Sequence, residues 1–354
     1  MINISQKQQK IIDILLKNNE LSSSQIHAEI ESIKEKISLV TIKRLLSDMA
    51  SVGFLTVAGS GRSTVYSVAI MGRVLADISV ADYCAIEPDK RHGQKGFNFS
   101  LLVDFPEDIL TDEEVAKLNL ATKEYHSRTH DLPESIRKKE LQRLIIELAW
   151  KSSKIEGNTY TLLDTEKLIM DNIAAPNHSK DETRMILNHK DAFEYVRTNA
   201  EQFRNLSRAN IEELHRIMVK DLGVGVNIRK RAVGITGSVY RPLDNEFQIA
   251  EALDSLIILI DRLKSPYAKA LMAVLGISYI QPFEDGNKRT GRLLANAVLM
   301  AHGLAPLSYR SVDEREYRES TLVFYELNSV VPLKNIFITQ YDFAARNYAV
   351  TTEI

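Results

Sequence analysis

The chain has 354 residues, of which 44% are hydrophobic and 26% are charged, and its formal net charge is −2. This length allows two or three domains, and the composition is that of an ordinary folded globular protein. The near-neutral charge excludes an overall electrostatic attraction to nucleic acid or membrane. Because Cys84 is the single cysteine, an intrachain disulfide is also excluded.

The beginning of the chain predicts no targeting signal. Residues 1–10 lack the apolar segment of a secretory signal, and no apolar run reaches the ~18 residues that a membrane-spanning helix needs. We therefore expect a cytoplasmic protein without a membrane partner.

Residues 1–70 predict three helices followed by two short strands. Ser22 and Ser38 are of the residue type that begins helices, and Phe54–Ala58 and Thr64–Val68 alternate in hydrophobicity as strands do. This order resembles the winged helix-turn-helix family, an α+β fold in which the third helix recognises duplex DNA. The residues that the resemblance places against DNA are Thr41, Lys43, Arg44 and, on the wing, Arg62.

The charge of this region leaves two interpretations open. Residues 1–70 contain eight Lys and Arg against six Asp and Glu, which is a net charge of +2. DNA-binding domains are usually more basic than this. A winged helix that packs against a protein partner is therefore the alternative to DNA binding.

Residues 71–105 predict a linker or hairpin, because Pro88–Gly96 is a charged, glycine-containing loop. Residues 106–354 are almost wholly helical in periodicity, with one helix expected near 138–158. The exception is residues 232–249, where alternating apolar residues and the turn Arg241–Asn245 predict a β-hairpin. The predicted fold class is therefore mainly α.

Residues 278–296 predict a helix, a short polar loop and a second helix, which is a shape that binds anions. The first N–H groups of the second helix have no intrahelical partner, and Gly286 allows a ligand to approach the backbone closely. Arg289 and Arg292 lie three residues apart and can hold phosphate oxygens on one helix face. Asp285 is a hard oxygen ligand suited to a magnesium ion bound to phosphates.

The letters QPFEDGNKRTGR at residues 281–292 resemble the Fic family signature H-P-F-x-D/E-G-N-G/K-R-x-x-R. The resemblance implies a Fic-type helical core near residues 205–305, with ATP and Mg²⁺ as cofactors and AMP transfer to a hydroxyl of a target protein. It implies that Asp285 binds the metal. The nucleotide-binding residues that it implies are Gly286, Asn287, Lys288, Arg289 and Arg292. The hairpin at 232–249 corresponds to the family's target flap, with Val233, Ile235 and Tyr240 on it.

The letters SSKIEGN at residues 152–158 resemble the inhibitory motif S/T-x-x-x-E-G/N of autoinhibited Fic proteins. Ser152 and Glu156 share a helix face, and Gly157 follows them. The resemblance implies that Glu156 pairs with Arg292 and thereby opposes binding of the terminal phosphate. A simple helix end at Gly157 is the structural alternative.

Two departures from the signature bear on activity. Gln281 stands where the family has its catalytic histidine, and an amide is essentially non-basic near pH 7. Losing a general base typically lowers a rate by about 10²–10⁴-fold, which fits either a natural pseudoenzyme or an inactivated variant. Lys288 replaces the more common glycine, as in the Doc branch, whose members phosphorylate their targets.

Three functions follow from the sequence. The first is an autoinhibited protein adenylyltransferase that is impaired at Gln281. The second is a catalytically dead, nucleotide-binding transcriptional regulator, and the third is a Doc-like phosphotransferase. The target protein and the oligomeric state, a homodimer included, stay open.

Overall fold

Helices dominate residues 4–350, which are the residues that the computed structural model describes. The chain divides into two units. The first contains residues 1–111, 234–241 and 319–333, and the second contains residues 112–233, 242–318 and 334–354. The expectation of a mainly α protein is confirmed, since the described strands form one small sheet.

The first unit begins with three helices, α1 (Gln6–Asn18), α2 (Ser23–Ser32) and α3 (Leu39–Ser51). Ser22 and Ser38 begin α2 and α3 as predicted, because each side chain accepts a hydrogen bond from a backbone N–H of the first turn. The strands are β1 (Glu20–Leu21), β2 (Leu55–Ala58) and β3 (Val65–Val68), in the antiparallel order β1-β3-β2. Strand β1 was not predicted.

The core of this part of the chain is apolar and continuous from the helices to the sheet. Ile11, Leu15, Ile26, Ile42 and Leu46 are all fully buried in it. This is the packing that the helical spacing of these residues predicts. The assignment of residues 1–70 to the winged-helix family stays a prediction.

Residues 71–105 contain short helices in place of the hairpin that the sequence offered as one alternative. They form no hairpin, and three short helices lie here instead: α4 (Ile70–Val74), α5 (Val80–Ala85) and α6 (Phe99–Val103). The buried carboxylate of Glu326 organises this region. It accepts hydrogen bonds from the Tyr83 hydroxyl at 2.7 Å, the Ser238 hydroxyl at 2.6 Å and Arg91 Nη1 at 3.2 Å.

Residues 232–249 also differ from the predicted β-hairpin. The segment forms no paired strands, and its ladder contact is one isolated parallel bridge between Arg241 and Gly96. Ser238 N donates to Ile235 O in a turn at 3.1 Å, and the Ser238 hydroxyl is taken by Glu326. The apolar alternation was therefore misleading, because the backbone partner of this segment lies about 145 positions earlier in the chain rather than across a local turn.

The second unit is an assembly of helices. Its elements are α7 (Asp112–Thr129), α8 (Glu134–Ile155), α9 (Leu162–Asp171), α10 (Lys180–Thr198), α11 (Arg208–Met218), α12 (Glu246–Arg262), α13 (Pro266–Ile280) and α14 (Asn287–Ala301). The last two helices of the chain, α15 (Glu314–Leu327) and α16 (Val331–Asn347), are each divided between the units. Helix α13 is buried on all sides from Tyr267 onward apart from Lys269, as expected of a central helix.

Within residues 4–350, none of the helices is long and apolar enough to cross a membrane.

Candidate functional site

The loop between α13 and α14 has an unusual backbone at both of its ends. Gln281 ends α13 with φ +51°, in the left-handed region, and Gly286 precedes α14 with φ +80°. A Cβ atom on Gly286 would lie 2.8 Å from Val219 Cγ1, so this position requires glycine for space as well as for conformation. Gly286 offers no side-chain cap to the first N–H groups of α14, which leaves that helix end suited to an anion.

Asn287 holds the loop closed from within. Its Oδ1 accepts from Phe283 N at 2.9 Å, and its Nδ2 donates to Phe283 O at 2.8 Å and to Gln281 Oε1 at 3.0 Å. The side chain is buried, and its polar atoms are all engaged by the loop. Asn287 therefore shapes the loop in this structure, whereas its predicted contact with an α-phosphate stays a prediction.

The Gln281 amide is fixed at both ends. Nε2 donates to Ser278 O at 2.6 Å, and Oε1 accepts from Asn287. The side chain is buried. Because an amide has no basic lone pair near neutral pH, Gln281 can accept a hydrogen bond from a hydroxyl but cannot take its proton.

Two residues that the sequence analysis did not assign to the site support this loop. The imidazole of His215 stacks on Phe283 with 3.6 Å between ring centroids, and its Nε2 lies 2.9 Å from Asp285 O. Burial lowers the pKa of His215 to about 4, so the ring is neutral and Nε2–H donates to that carbonyl. His215 lies on α11, and its position under the loop follows from the packing of the helices rather than from a local pattern in the sequence.

Arg229 is the second residue that supports the loop. Its buried guanidinium donates from Nε to Gln281 O at 2.6 Å, from Nη1 to Arg231 O at 2.7 Å and from Nη2 to Leu243 O. One side chain thus fixes the backbone of Gln281 and both ends of the segment that contains residues 232–242. No local pattern in the sequence indicates such a set of distant carbonyls.

Arg289 projects from the first turn of α14 and is almost fully buried. Its Nη2 donates to Asp285 Oδ2 at 3.1 Å, while its Nη1 is buried and has no hydrogen-bond partner within residues 4–350. Burial lowers the pKa of Arg289, with Asp285 and Glu156 acting in the opposite direction. A buried guanidinium N–H without an acceptor is costly, and a phosphate oxygen would satisfy it.

Arg292 lies one turn further along α14 and is fully buried. Its Nε donates to Ser152 Oγ at 2.9 Å, its Nη2 to Ser152 O at 2.8 Å, and its Nη1 to Glu156 Oε1 at 2.7 Å. The Tyr317 ring lies 5.6 Å from the guanidinium carbon. The pairing of Glu156 with Arg292 that the resemblance implied is therefore present in the structure.

Glu156 directly follows α8 as its C-terminal cap, and Gly157 comes next with φ +96°. Burial acts to raise the pKa of the Glu156 carboxyl, but Arg292, Lys288 and Arg289 together outweigh this and lower it. Lys288 Nζ lies 3.6 Å from Glu156 Oε2, and the Lys288 side chain is 31% exposed. Glu156 is therefore charged at neutral pH and neutralises two cations on the first turns of α14.

Asp285, the predicted magnesium ligand, lies at the surface of the loop. Its side chain is 68% exposed, and one oxygen pairs with Arg289. Among the described residues, no three His, Cys, Asp or Glu side chains converge as a metal site built by protein alone. The assignment of Asp285 as a magnesium ligand stays a prediction.

The other predicted residues belong to other segments of the chain. Val233 and Ile235 are half-buried, whereas Tyr240 is buried and stacks on Tyr325 with 5.7 Å between centroids, so its ring is not available to a target. Lys43 and Arg44 are exposed on α3, and Arg62 is exposed between β2 and β3. Thr41 is half-buried and contacts Ser38 Oγ at 2.9 Å.

Comparison with known proteins agrees with this geometry. Residues 205–299 match the sequence model of the Fic/DOC family. The chain is 31% identical over 187 residues to the protein adenylyltransferase Fic of Nematostella vectensis. This aligned stretch covers 51% of this chain and 44% of that protein. Its counterpart in Drosophila willistoni is 30% identical over 167 residues, covering 45% of this chain and 32% of that protein. The chain thus spans less than half the length of these curated relatives.

Solved structures share the fold. Fic-1 from C. elegans superposes with a TM-score of 0.58 at 21% identity, covering 67% of this chain and 72% of that chain. A Fic domain containing signaling protein from Bacteroides thetaiotaomicron gives 0.55 at 24% identity, covering 65% and 94%. The helical fold with a polar loop between two buried helices is therefore a Fic-type fold. These findings together support a Fic/DOC family domain in this chain.

Proposed function

We propose that this protein binds ATP at the start of α14 and transfers AMP to a hydroxyl of a target protein, at a rate limited by Gln281. The observation that carries the proposal is the pair of buried guanidinium groups on one face of α14. Arg289 has a buried Nη1 without a partner among residues 4–350, and Arg292 is neutralised by a carboxylate. Adenylyltransferases among the relatives support the choice of ATP.

The triphosphate lies along the first turns of α14 in this proposal. The N–H groups after Gly286 and the Nη1 of Arg289 bind the inner phosphates, and Arg292 binds the terminal phosphate. Lys288, which is partly exposed, adds a cation beside them. Asp285 would hold Mg²⁺, which would neutralise part of the phosphate charge.

Transfer forms an ester bond between the target oxygen and the α-phosphorus, breaks the bond from that phosphorus to the pyrophosphate oxygen, and releases the hydroxyl proton. The family histidine accepts this proton. Gln281 can only orient the hydroxyl, since its amide is non-basic, so we expect transfer to be about 10²–10⁴-fold slower than with histidine. Nucleotide binding does not need this proton transfer.

Glu156 holds the site in an inhibited state in this proposal. Its carboxylate occupies Nη1 of Arg292 at 2.7 Å, and its charge opposes that of a terminal phosphate in a buried site. ATP therefore binds productively once α8 moves its end, or once Glu156 is removed.

The experiment is label transfer by the Gln281→His/Glu156→Ala double variant with Mg²⁺ and ATP. Label from the α-phosphate on protein supports AMP transfer, and label from the γ-phosphate supports the Doc-like phosphotransferase instead. A Gln281→Asn/Glu156→Ala variant is the matched control, because it also lacks a base. If the double variant binds ATP and labels neither itself nor added proteins from either position, the transferase proposal is wrong.

A nucleotide-binding transcriptional regulator is the second candidate, and the exposed Lys43, Arg44 and Arg62 favour it. It predicts that the full chain binds duplex DNA from its own gene neighbourhood, with an affinity that falls as salt rises. A Lys43→Ala/Arg44→Ala variant tests it in a fluorescence anisotropy titration. Equal binding by the variant and the parent, or no binding at low salt, contradicts it.

A further inference from the structure

His189 lies in the middle of α10 and is fully buried. Its ring points at α8 rather than at the loop, and no feature of the sequence singled it out. A buried polar ring needs a partner for each nitrogen. Nδ1 lies near Met185 O and, at 3.4 Å, near Ser153 Oγ, and Nε2 lies near Ser152, the residue that holds Arg292.

The hydrogen-bond directions around His189 follow from the chemistry of the partners. Nδ1 lies 2.9 Å from Met185 O, and a carbonyl can only accept, so Nδ1 carries the proton. Burial lowers the pKa of His189 to about 3, so the ring is neutral and Nε2 presents a lone pair. Nε2 lies 2.8 Å from Ser152 Oγ, which must therefore be the donor.

The orientation of the Ser152 hydroxyl determines how Ser152 contacts Arg292. Because its hydroxyl hydrogen is given to His189, the Ser152 oxygen presents its lone pairs to Arg292 Nε–H at 2.9 Å. The backbone oxygen of Ser152 accepts from Nη2 at 2.8 Å. One edge of the guanidinium is thereby fixed on α8, and Nη1 is left for Glu156.

We propose that His189 is a positioning residue for the phosphate-binding arginine, because it fixes the Ser152 hydroxyl in the orientation that holds Nε and Nη2 of Arg292. This inference rests on the proposed function for its consequence in ATP binding. Nη1 then faces Glu156 in the inhibited protein and the terminal phosphate of ATP when Glu156 is absent. The contact between Ser152 and Arg292 thus serves both the inhibited protein and the ATP-bound protein.

Without an acceptor at Nε2, the Ser152 hydroxyl has an alternative partner. A serine inside a helix can rotate and donate to the carbonyl four residues earlier, here Leu148 O. That rotation moves its oxygen away from Arg292 Nε. Arg292 would keep the bond to Ser152 O but lose one of its two contacts on α8, so its Nη1 would no longer be held in one direction.

The first test needs no nucleotide. In protein labelled with ¹⁵N-arginine, we expect the Nε–H of Arg292 to exchange slowly with solvent, with the signal assigned by its loss in Arg292→Lys. We expect His189→Leu to speed that exchange by at least about tenfold, which corresponds to the loss of roughly one hydrogen bond. His189→Gln should restore slow exchange, because its Oε1 can lie where Nε2 was. Equal exchange rates in the parent, His189→Leu and His189→Gln overturn the proposal.

The second test measures binding of ATP and ADP with Mg²⁺ by calorimetry in the Glu156→Ala background. We expect His189→Leu to weaken ATP binding by about tenfold and ADP binding by less than about twofold, and His189→Gln to recover most of the loss. Equal weakening of ATP and ADP, or no recovery with glutamine, means that His189 acts only on the fold and overturns the proposal. If Glu156→Ala binds no ATP at all, the proposed function fails, and the exchange measurement still decides the role of His189.

Discussion

Removing the Glu156 carboxylate separates its two effects, on stability and on nucleotide binding. In Glu156→Ala, Arg292 keeps both contacts with Ser152 but loses its counterion at 2.7 Å. A charge-assisted hydrogen bond contributes about 1.5–3 kcal/mol. In the proposed binding mode ATP displaces this bond in the parent protein, so we expect the variant to bind ATP about 10- to 150-fold more tightly.

The same substitution leaves a buried charge without a counterion. Arg292 is fully buried, and breaking a buried ion pair by removing one member costs about 3–5 kcal/mol. The Glu156 side chain is 18% exposed, so we expect the lower end of that range. The variant should therefore melt at a lower temperature than the parent without ligand, and ATP should raise its melting temperature more than that of the parent.

The assay is thermal unfolding with and without ATP and Mg²⁺, combined with calorimetric titration. Glu166→Ala is the matched control, because Glu166 is an exposed glutamate on the next helix, α9. We expect the control to leave both the melting temperature and the ATP affinity unchanged. If Glu156→Ala loses stability and its ATP affinity equals that of the parent, the ion pair is structural and the reasoning about inhibition is refuted.

Three further predictions concern the loop and the buried histidines. Lys288→Ala in the Glu156→Ala background should weaken ATP binding by at most about fivefold, because partly exposed charge pairs contribute about 0.2–1 kcal/mol. A loss above about 100-fold in calorimetry would contradict this. Gly286→Ala should lower both stability and ATP affinity. The control is Gly303→Ala, where the glycine also has a positive φ but open space at Cβ, and it should cost about 1–2 kcal/mol of stability with ATP affinity unchanged. Equal ATP affinities of the two variants would contradict the steric argument. Burial lowers the pKa values of His189 and His215 in the folded protein to about 3 and about 4, so below about pH 6.5 the unfolded chain binds more protons than the folded one. Stability should therefore fall as the pH decreases below about 6.5, by at most about 1.4 kcal/mol per pH unit for each histidine. Urea unfolding between pH 7 and 5 should show this slope, and His189→Gln should reduce it by about half.

Local signals predicted the small elements well. Ser22 and Ser38 begin helices, and the two predicted strands lie within one residue of β2 and β3. These features depend on neighbours in the chain, so the residues themselves carry the information. The loop at 281–287 was also predictable, because Gly286 and the two arginines occur within one short run of letters.

Long-range contacts explain what the sequence did not predict. The segment at 232–249 alternates like a strand, yet its bridge partner is Gly96 and its Ser238 hydroxyl binds Glu326. Arg229 binds carbonyls of loop residues, and His189 binds a hydroxyl of another helix. No periodicity records such contacts, because they depend on how helices pack rather than on how each helix forms.

The family resemblance supplied one long-range contact that the residues alone did not. Glu156 and Arg292 are 136 positions apart, and E-G-N at a helix end is ordinarily a helix termination. The structure contains the contact, whereas its effect on nucleotide binding stays a prediction.

A structure of Glu156→Ala crystallised with ATP and Mg²⁺ tests the central claim most directly. We predict a triphosphate along the first turns of α14, with an oxygen within hydrogen-bond distance of Arg289 Nη1, another at Arg292 Nη1, and a metal ion beside Asp285. A cleft without nucleotide at millimolar ATP, or a nucleotide bound elsewhere with Arg289 Nη1 still without an acceptor, would contradict it.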